Sequence, residues 1–381
     1  MTTPCTYSHR TWLLGVFSLL AIGSQPAPQA QVAQANNATS SGAAALAEEL
    51  RWLQAESFTI TTATLSQETI SHAPATVRVV SQRQIRERGY RNLEDLMNDL
   101  PGFDIQNHSG LQDNVIAMRG VTGNNKFLIL QNGVRINSAV NSPQIPVRDN
   151  FPVYNVKQVE VLYGPASAIY GADAFNGVIN LITETAEGVD GGMGAFEAGE
   201  FGYYRGEFFA GKRLADWAAF SLGGTFLESD NPDLSEHFPD HFRLGDLVTF
   251  DGRTIVRAQD RAGYATPNRG FTTYAKLELG EDLVLGWNQS YWRVPSSNNG
   301  LPNRIDYGGD PFIAHAMATA YGIYKYEVSD QLHGQVQASY SFYEVDEQSK
   351  FVDIFTDFAP GYKYEKGERF QVEPHLTLDL D

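Results

Sequence analysis

The stretch Leu332-His333-Gly334-Gln335-Val336-Gln337-Ala338-Ser339-Tyr340-Ser341-Phe342 places apolar or small residues at even positions and polar ones at odd positions. Successive side chains of a strand point to opposite faces, so this run predicts one extended strand with an apolar face and a wet face. The pattern returns in Phe370, Val372, Pro374, Leu376, Leu378 and Leu380, set against Gln371, Glu373, His375, Thr377 and Asp379. Ala218, Phe220, Leu222, Gly224 and Phe226 form a third such face. Strands of about ten residues are longer than the usual five or six. They match a transmembrane β-barrel, with lipid outside and a polar interior. A soluble antiparallel sandwich also alternates. Aromatic residues near the strand ends (Tyr203-Tyr204, Tyr291-Trp292, Tyr324, Tyr326, Tyr340 and Tyr343) favour the barrel, whose interfaces attract such rings.

Outward from these runs, about eight strands are expected, near 192–200, 202–213, 215–227, 269–280, 282–293, 317–329, 331–345 and 367–381. Long polar segments at 228–268, 294–316 and 346–366 alternate with short turns such as Leu214-Ala215 and Ser329-Asp330. Short turns on one side and long loops on the other are the outer-membrane arrangement. The whole chain has 381 residues and a formal net charge of −17. Residues 187–381 hold 31 acidic against 16 basic residues and 32 of the 45 aromatics, so the chain changes character near Ala186. That charge excludes a general nucleic-acid binder, which needs a basic footprint. No run of 18 apolar residues occurs, so no helical span is expected.

The N-terminus reads as an address. His9 and Arg10 precede the apolar run Trp12–Ile22, and Ala33-Gln34-Ala35 offers a small-residue cleavage site. Residues 1–35 are therefore expected to be a signal peptide, cleaved after Ala35. Cys5, the only cysteine, lies within it, which leaves no disulfide in the mature chain. Residues 36–66 form an N-terminal segment too short for a further periplasmic domain, with an amphipathic helix expected over 43–54.

Residues 67–186 read as a small α+β unit. Ala75 to Val80 is rich in β-branched residues. Ser81 can cap a short helix ended by Gly89, and Asn92 a second one whose Leu93, Leu96, Met97 and Leu100 share a face. Val115–Met118, Phe127–Leu130, Val156–Leu162 and Val178–Thr183 read as strands, and Asn132-Gly133 is a strong hairpin signal.

Several blocks in this unit together carry a resemblance. They are Ala73-Pro74-Ala75-Thr76-Val77, Leu93-Glu94-Asp95-Leu96 with Leu100-Pro101-Gly102, Met118-Arg119-Gly120, Leu130-Gln131-Asn132-Gly133-Val134-Arg135, Val159-Glu160-Val161-Leu162-Tyr163-Gly164-Pro165-Ala166-Ser167, Tyr170-Gly171, and Gly177 to Thr183. In this order, over some 110 residues, they resemble the plug domain of TonB-dependent outer-membrane receptors. The resemblance implies a plug inside a 22-stranded barrel in the cell outer membrane of a Gram-negative bacterium, surrounded by lipid. It implies uptake of a scarce nutrient, a ferric siderophore, cobalamin or similar small-molecule metal chelate. Arg119, Gly120, Asn132, Gly133, Glu160, Gly164, Pro165, Tyr170, Gly171 and Gly177 match its structural positions. Two positions depart. Tyr163 stands where the family usually has Arg, and Asn176 where it usually has Gly. In the family an Arg/Glu cluster at this level of the plug pairs with charges on the barrel wall; here Glu160 remains and the Arg is absent.

The family also implies a segment ahead of the plug, the TonB box, that adds as a strand to the periplasmic energising protein, a TonB-type partner. Ser57, Phe58, Thr59, Ile60, Thr61, Thr62 and Ala63 are β-branched or uncharged and are assigned to it. Ligand contacts are expected on two polar plug loops, one with Asn107, His108, Ser109, Gln112, Asp113 and Asn114, the other with Asn137, Ser138 and Asn141. His237 and His241, among Asp230, Asp233, Glu236 and Asp240, read as a solvated acidic loop rather than a metal site, since Pro239 breaks their helical spacing. No phosphate loop, zinc-protease or nucleophile-elbow pattern is present, so neither an enzyme nor a cofactor is expected.

A secreted soluble binding protein and an inactive receptor fragment are the competing readings. The 195 residues after Ala186 suffice for about eight strands, whereas 22 strands need roughly 220 residues in strands alone. An eight-stranded barrel has no room for a plug. The expected fold is therefore a small α+β plug followed by the N-terminal portion of an antiparallel barrel, residues 187–381, incomplete in this chain.

Overall fold

The computed structural model describes residues 59–60, 68–69, 76–107, 114–123, 126–138, 140, 151–171, 173–296, 302–329 and 331–378. The expected signal peptide and the helix over 43–54 lie outside them.

The plug begins with β1 (Thr76–Ser81), which feeds α1 (Gln82–Arg88) through a reciprocal cap between Ser81 and Gln84. Gly89, at φ 70°, ends α1 in the left-handed region that glycine accepts without strain. Asn92 caps α2 (Leu93–Asn98), accepting from the Asp95 amide at 2.9 Å, and Leu93, Leu96 and Met97 are fully buried beneath it. There follow β2 (Phe103–Asn107), β3 (Asn114–Met118), β4 (Val121–Thr122), β5 (Phe127–Gln131), β6 (Val134–Arg135), β7 (Val156–Tyr163), α3 (Ser167–Tyr170) and β8 (Gly177–Thr183). β2, β3 and β4 form one small sheet, and a second has the order β1-β7-β8-β5-β6. β8 runs antiparallel to β7 and parallel to β5. Val159, Val161, Ile179, Leu181 and Ile129 pack with the α2 residues into the plug core.

After α4 (Ala186–Val189) comes a run of long antiparallel strands: β9 (Gly191–Ala198), β10 (Tyr204–Ala215), β11 (Ala218–Ser229), β12 (Asn268–Leu279), β13 (Leu283–Pro295), β14 (Phe312–Ser329), β15 (Leu332–Val345) and β16 (Glu365–Leu378). Each pairs with its chain neighbour, and the sheet does not close: among the described residues β9 and β16 have a long partner on one side only. The eight expected strands are present. β14 is longer than expected, because Phe312–Ala316 extends the ladder against Tyr291–Pro295 instead of forming loop.

Burial along these strands is inverted relative to a soluble sheet. Phe370, Val372, Leu376 and Leu378 are exposed on β16, as are Phe220, Leu222 and Phe226 on β11 and Tyr340 on β15. The polar row Gln337, Ser339 and Ser341 is buried. Apolar side chains face outward and polar ones face the plug, which is how a lipid-facing wall is built. The outer rings pair as girdles do: Phe271 stacks on Tyr291 at 5.5 Å between centroids, and Tyr324 on Tyr326 at 6.3 Å.

Candidate functional site at the contact of plug and wall

The hairpin turn at Asn132-Gly133 (φ 52° and 80°) is the conformation Asn-Gly adopts readily. It points the Asn132 side chain at the end of β8. Asn132 Oδ1 accepts from the Thr183 amide at 2.9 Å, and Asn132 Nδ2 donates to the Tyr321 hydroxyl at 3.3 Å. Thr183 Oγ1 lies 2.7 Å from the Tyr274 hydroxyl. The Gly133 amide donates to Asn180 Oδ1 at 3.0 Å. Tyr274 on β12 and Tyr321 on β14 are wall residues, so this cluster joins plug to wall. Val134 packs with Tyr321, Ile323 and Val284 around it.

Two wall guanidiniums reach plug main chain. Arg369 donates to the carbonyls of Asn137 and Ser138 at 3.2 and 3.3 Å. Buried Arg205 donates to the Arg91 carbonyl at 2.6 Å and pairs with Glu207. Close packing depends on small residues: a Cβ on Gly367 would lie 2.0 Å from Val140, and one on Gly211 2.7 Å from Ala186.

Beside the cluster, at the short-turn end, lies a cavity of about 660 Å³. Asn132, Gly133, Tyr170 and Asn180 of the plug line it opposite Lys276, Glu278, Lys325 and Glu373 of the wall. Burial pushes the Tyr170 phenol well above its usual pKa, and the nearby carboxylates of Glu160 and Glu373 add to the shift.

The assigned plug residues fall into distinct places. Arg119 and Gly120, at φ 55° and 77°, make the β3–β4 turn, and the Arg119 amide donates to the Gly102 carbonyl at 2.7 Å. Gly164, at φ 133°, leads into Pro165. Gly171, at φ 83°, ends α3 after Tyr170, and Gly177 opens β8. Glu160 is buried and accepts from Gln158 Nε2 at 2.8 Å. Tyr163, in place of the usual Arg, packs its ring edge-on against Phe103 at 6.1 Å, with burial raising its phenol pKa. Asn176 is buried and donates to the Val121 carbonyl at 3.3 Å.

Of the expected ligand loops, Asn107 and Asn114 pair at the open end of β2 and β3. His108, Ser109, Gln112, Asp113 and Asn141 lie outside the described residues. Asn137 and Ser138 are buried, not presented on a solvated loop. Asn137 Oδ1 accepts from the Ile129 amide at 2.8 Å, so this side chain holds the turn after β6. Of the residues 57–63 expected to form the TonB box, only Thr59 and Ile60 are described, and they pair antiparallel with Thr69 and Glu68. Ser57, Phe58, Thr61, Thr62 and Ala63 lie outside. The ring of His237 packs edge-on against Phe201 at 5.8 Å. Sequence reasoning does not single out Tyr274 or Tyr321. Both sit in the inward row of a period-two strand, and the one local sign is a glycine, Gly286, paired opposite Tyr321.

Comparison with known proteins agrees with this architecture. The profile of the TonB-dependent Receptor Plug Domain matches residues 69–178. A vitamin B12 transporter of Vibrio vulnificus is 29% identical over 185 residues, 48% of this chain and 30% of that protein. An iron-regulated outer membrane virulence protein of Vibrio cholerae is 34% identical over 133 residues, 34% of this chain and 20% of that protein. A ferric enterobactin receptor of Pseudomonas aeruginosa superposes with a TM-score of 0.60 at 17% identity, covering 85% of this chain and 48% of that one. A siderophore receptor of Acinetobacter baumannii superposes with a TM-score of 0.54 at 16% identity, covering 82% and 44%. The chain thus spans about a third or less of the length of these curated relatives and under half of these solved structures. Residues 69–178 thus match the plug domain of the TonB-dependent receptors, and the described fold, plug and long antiparallel strands together, is similar to part of such receptors.

Proposed function

We infer that this chain is the plug and the first barrel strands of an outer-membrane receptor for active uptake of a ferric siderophore or cobalamin. The observation that carries the reading is the seating of a compact α+β plug on the polar face of a sheet whose other face exposes Phe370, Val372, Leu376 and Leu378. Such a plug blocks passage until it is displaced. The relatives are named for vitamin B12 and iron, which supports those two cargo classes. On this reading residues 1–35 direct export, residues 36–66 carry the TonB box at 57–63, and plug gives way to barrel near Ala186. Ligand contacts then fall on the plug residues 107–114 and on Asn141, since Asn137 and Ser138 are buried.

The test is uptake by cells whose only such receptor contains this chain. Labelled ferric siderophores and cobalamin are supplied, with and without the TonB-type protein. Energised accumulation of one cargo is expected. Ile60→Pro removes a donor from the paired strand and should abolish accumulation while leaving surface binding intact. Unchanged accumulation would reject 57–63 as the box. Recovery of the protein in the periplasm or medium would sink the receptor reading.

A further inference from the structure

We propose that the plug of this receptor is latched to the wall by an uncharged cluster, Asn132, Thr183, Tyr274 and Tyr321, and that its release widens the adjoining cavity into the opening. This rests on the gated-receptor reading above.

The cluster is built rather than incidental. Thr183, Tyr274 and Tyr321 are 1%, 4% and 5% exposed, so their hydroxyls have little water to turn to when the contact breaks. Asn132 engages both sides at once, holding Thr183 of the plug and Tyr321 of the wall. Tyr321 reaches that position because residue 286 is glycine: a Cβ there would lie 2.0 Å from the tyrosine ring. Val134, Val284 and Ile323 close an apolar collar around it.

Charged groups also cross the contact: Arg205 and Arg369 donate to plug carbonyls, and Lys276, paired with Glu278 at 3.1 Å, also feels the charge of Glu184 on the plug. At the Asn132 turn itself, among the described residues, the side-chain hydrogen bonds between plug and wall are all between neutral groups. The plug side of the cluster also borders the cavity, through Asn132 and Asn180. Movement of the turn away from Tyr274 and Tyr321 therefore enlarges a space already present. Neutral buried hydrogen bonds are not screened by salt as exposed charge pairs are.

Hydrogen exchange on the detergent-solubilised receptor tests this. In the unaltered protein, protection of the amides of residues 130–135 should change less than about twofold between low and 1 M salt. Tyr274→Phe with Tyr321→Phe should cut that protection by about tenfold or more while β7 keeps its own. Asn132→Gly, which retains the left-handed turn, should do the same. Salt-dependent loss of protection in the unaltered protein, unchanged protection in both variants, or a loss spread evenly over the plug would overturn the proposal. Uptake that proves independent of the TonB-type protein would sink the receptor reading and leave this measurement standing.

Discussion

At the scale of the residue, Gly177 shows how tightly the plug is built. A Cβ there would lie 2.2 Å from the Leu162 carbonyl and 2.5 Å from Met118 Cε. The side chain of Met118 can swing, but the carbonyl belongs to the β7 ladder and cannot. Gly177→Ala should therefore destabilise the plug by about 1–3 kcal/mol, the usual range for an overfilled core, read as a lower urea midpoint for plug unfolding. Gly171, where a Cβ meets nothing within 4 Å, is a control for backbone conformation alone: at φ 83° and ψ −173°, a region nearly reserved for glycine, Gly171→Ala should cost about 1–3 kcal/mol. Tyr163 illustrates the same economy of space, its ring packed edge-on against Phe103.

At the scale of the element, the three long loops behave as one body. Arg261 donates to the carbonyls of Gly245, Pro302 and Ile305 at 2.7 to 2.8 Å, and to Asn303 Oδ1 at 3.0 Å. The Asp306 amide donates to the Val352 carbonyl at 2.8 Å, and Leu247, Ile354 and Phe358 share a small core. Arg261→Ala removes four hydrogen bonds and should make the 240–262 segment a preferred site of limited proteolysis. Asp246 anchors the same body, accepting from the Ala258 amide at 2.8 Å and Arg257 Nη1 at 2.9 Å. The amide first, and then the guanidinium, hold its carboxyl below the usual range. A lowered folded pKa adds stability above the ordinary carboxylate value near 4 and loses it as pH falls through the folded value. Loop protection in hydrogen exchange should thus persist through mild acid and fall only below about pH 4. Asp246→Asn should weaken that dependence, leaving the share of Asp251, whose carboxyl the Thr249 hydroxyl and the Arg253 amide also hold low.

The strands of this wall are legible in sequence because alternation is local. The loop core is not, because Leu247, Ile354 and Phe358 lie in segments with no period and meet only after the barrel strands bring their loops together. β14 outruns its sequence pattern for a related reason: Phe312 and Ile313 follow Gly308, Gly309 and Pro311, which look like loop, and only the partner strand β13 reveals the longer ladder. The latch tyrosines are illegible for the opposite reason, since the rest of the plug must be folded before an inward tyrosine on β12 differs from any other. The plug itself is readable from its turns: Arg119-Gly120 and Asn132-Gly133 demand particular φ angles, and few residue types supply them.

At the scale of the whole molecule, a plug that fits one polar face is joined to a sheet that, among the described residues, has two long unpaired edges. Those edges, on β9 and β16, together with the outward apolar rows, should make the isolated chain insoluble without detergent. Phe370→Glu with Leu376→Glu should raise its soluble yield without altering the plug's near-ultraviolet signature.

The strand order of the plug has a mechanical consequence. Among the described residues, β1 is an edge strand of six residues joined to β7 alone, and it is the first strand of the plug's five-stranded sheet after residues 57–63. A tug on the upstream chain reaches Thr76 before it reaches any other strand of that sheet. The pairs from Thr76 with Tyr163 to Ser81 with Gln158 can then separate in succession while the interior strands β7, β8 and β5 stay clasped. The fold thus has a fuse: a short edge seam of six pairs lies where the load arrives.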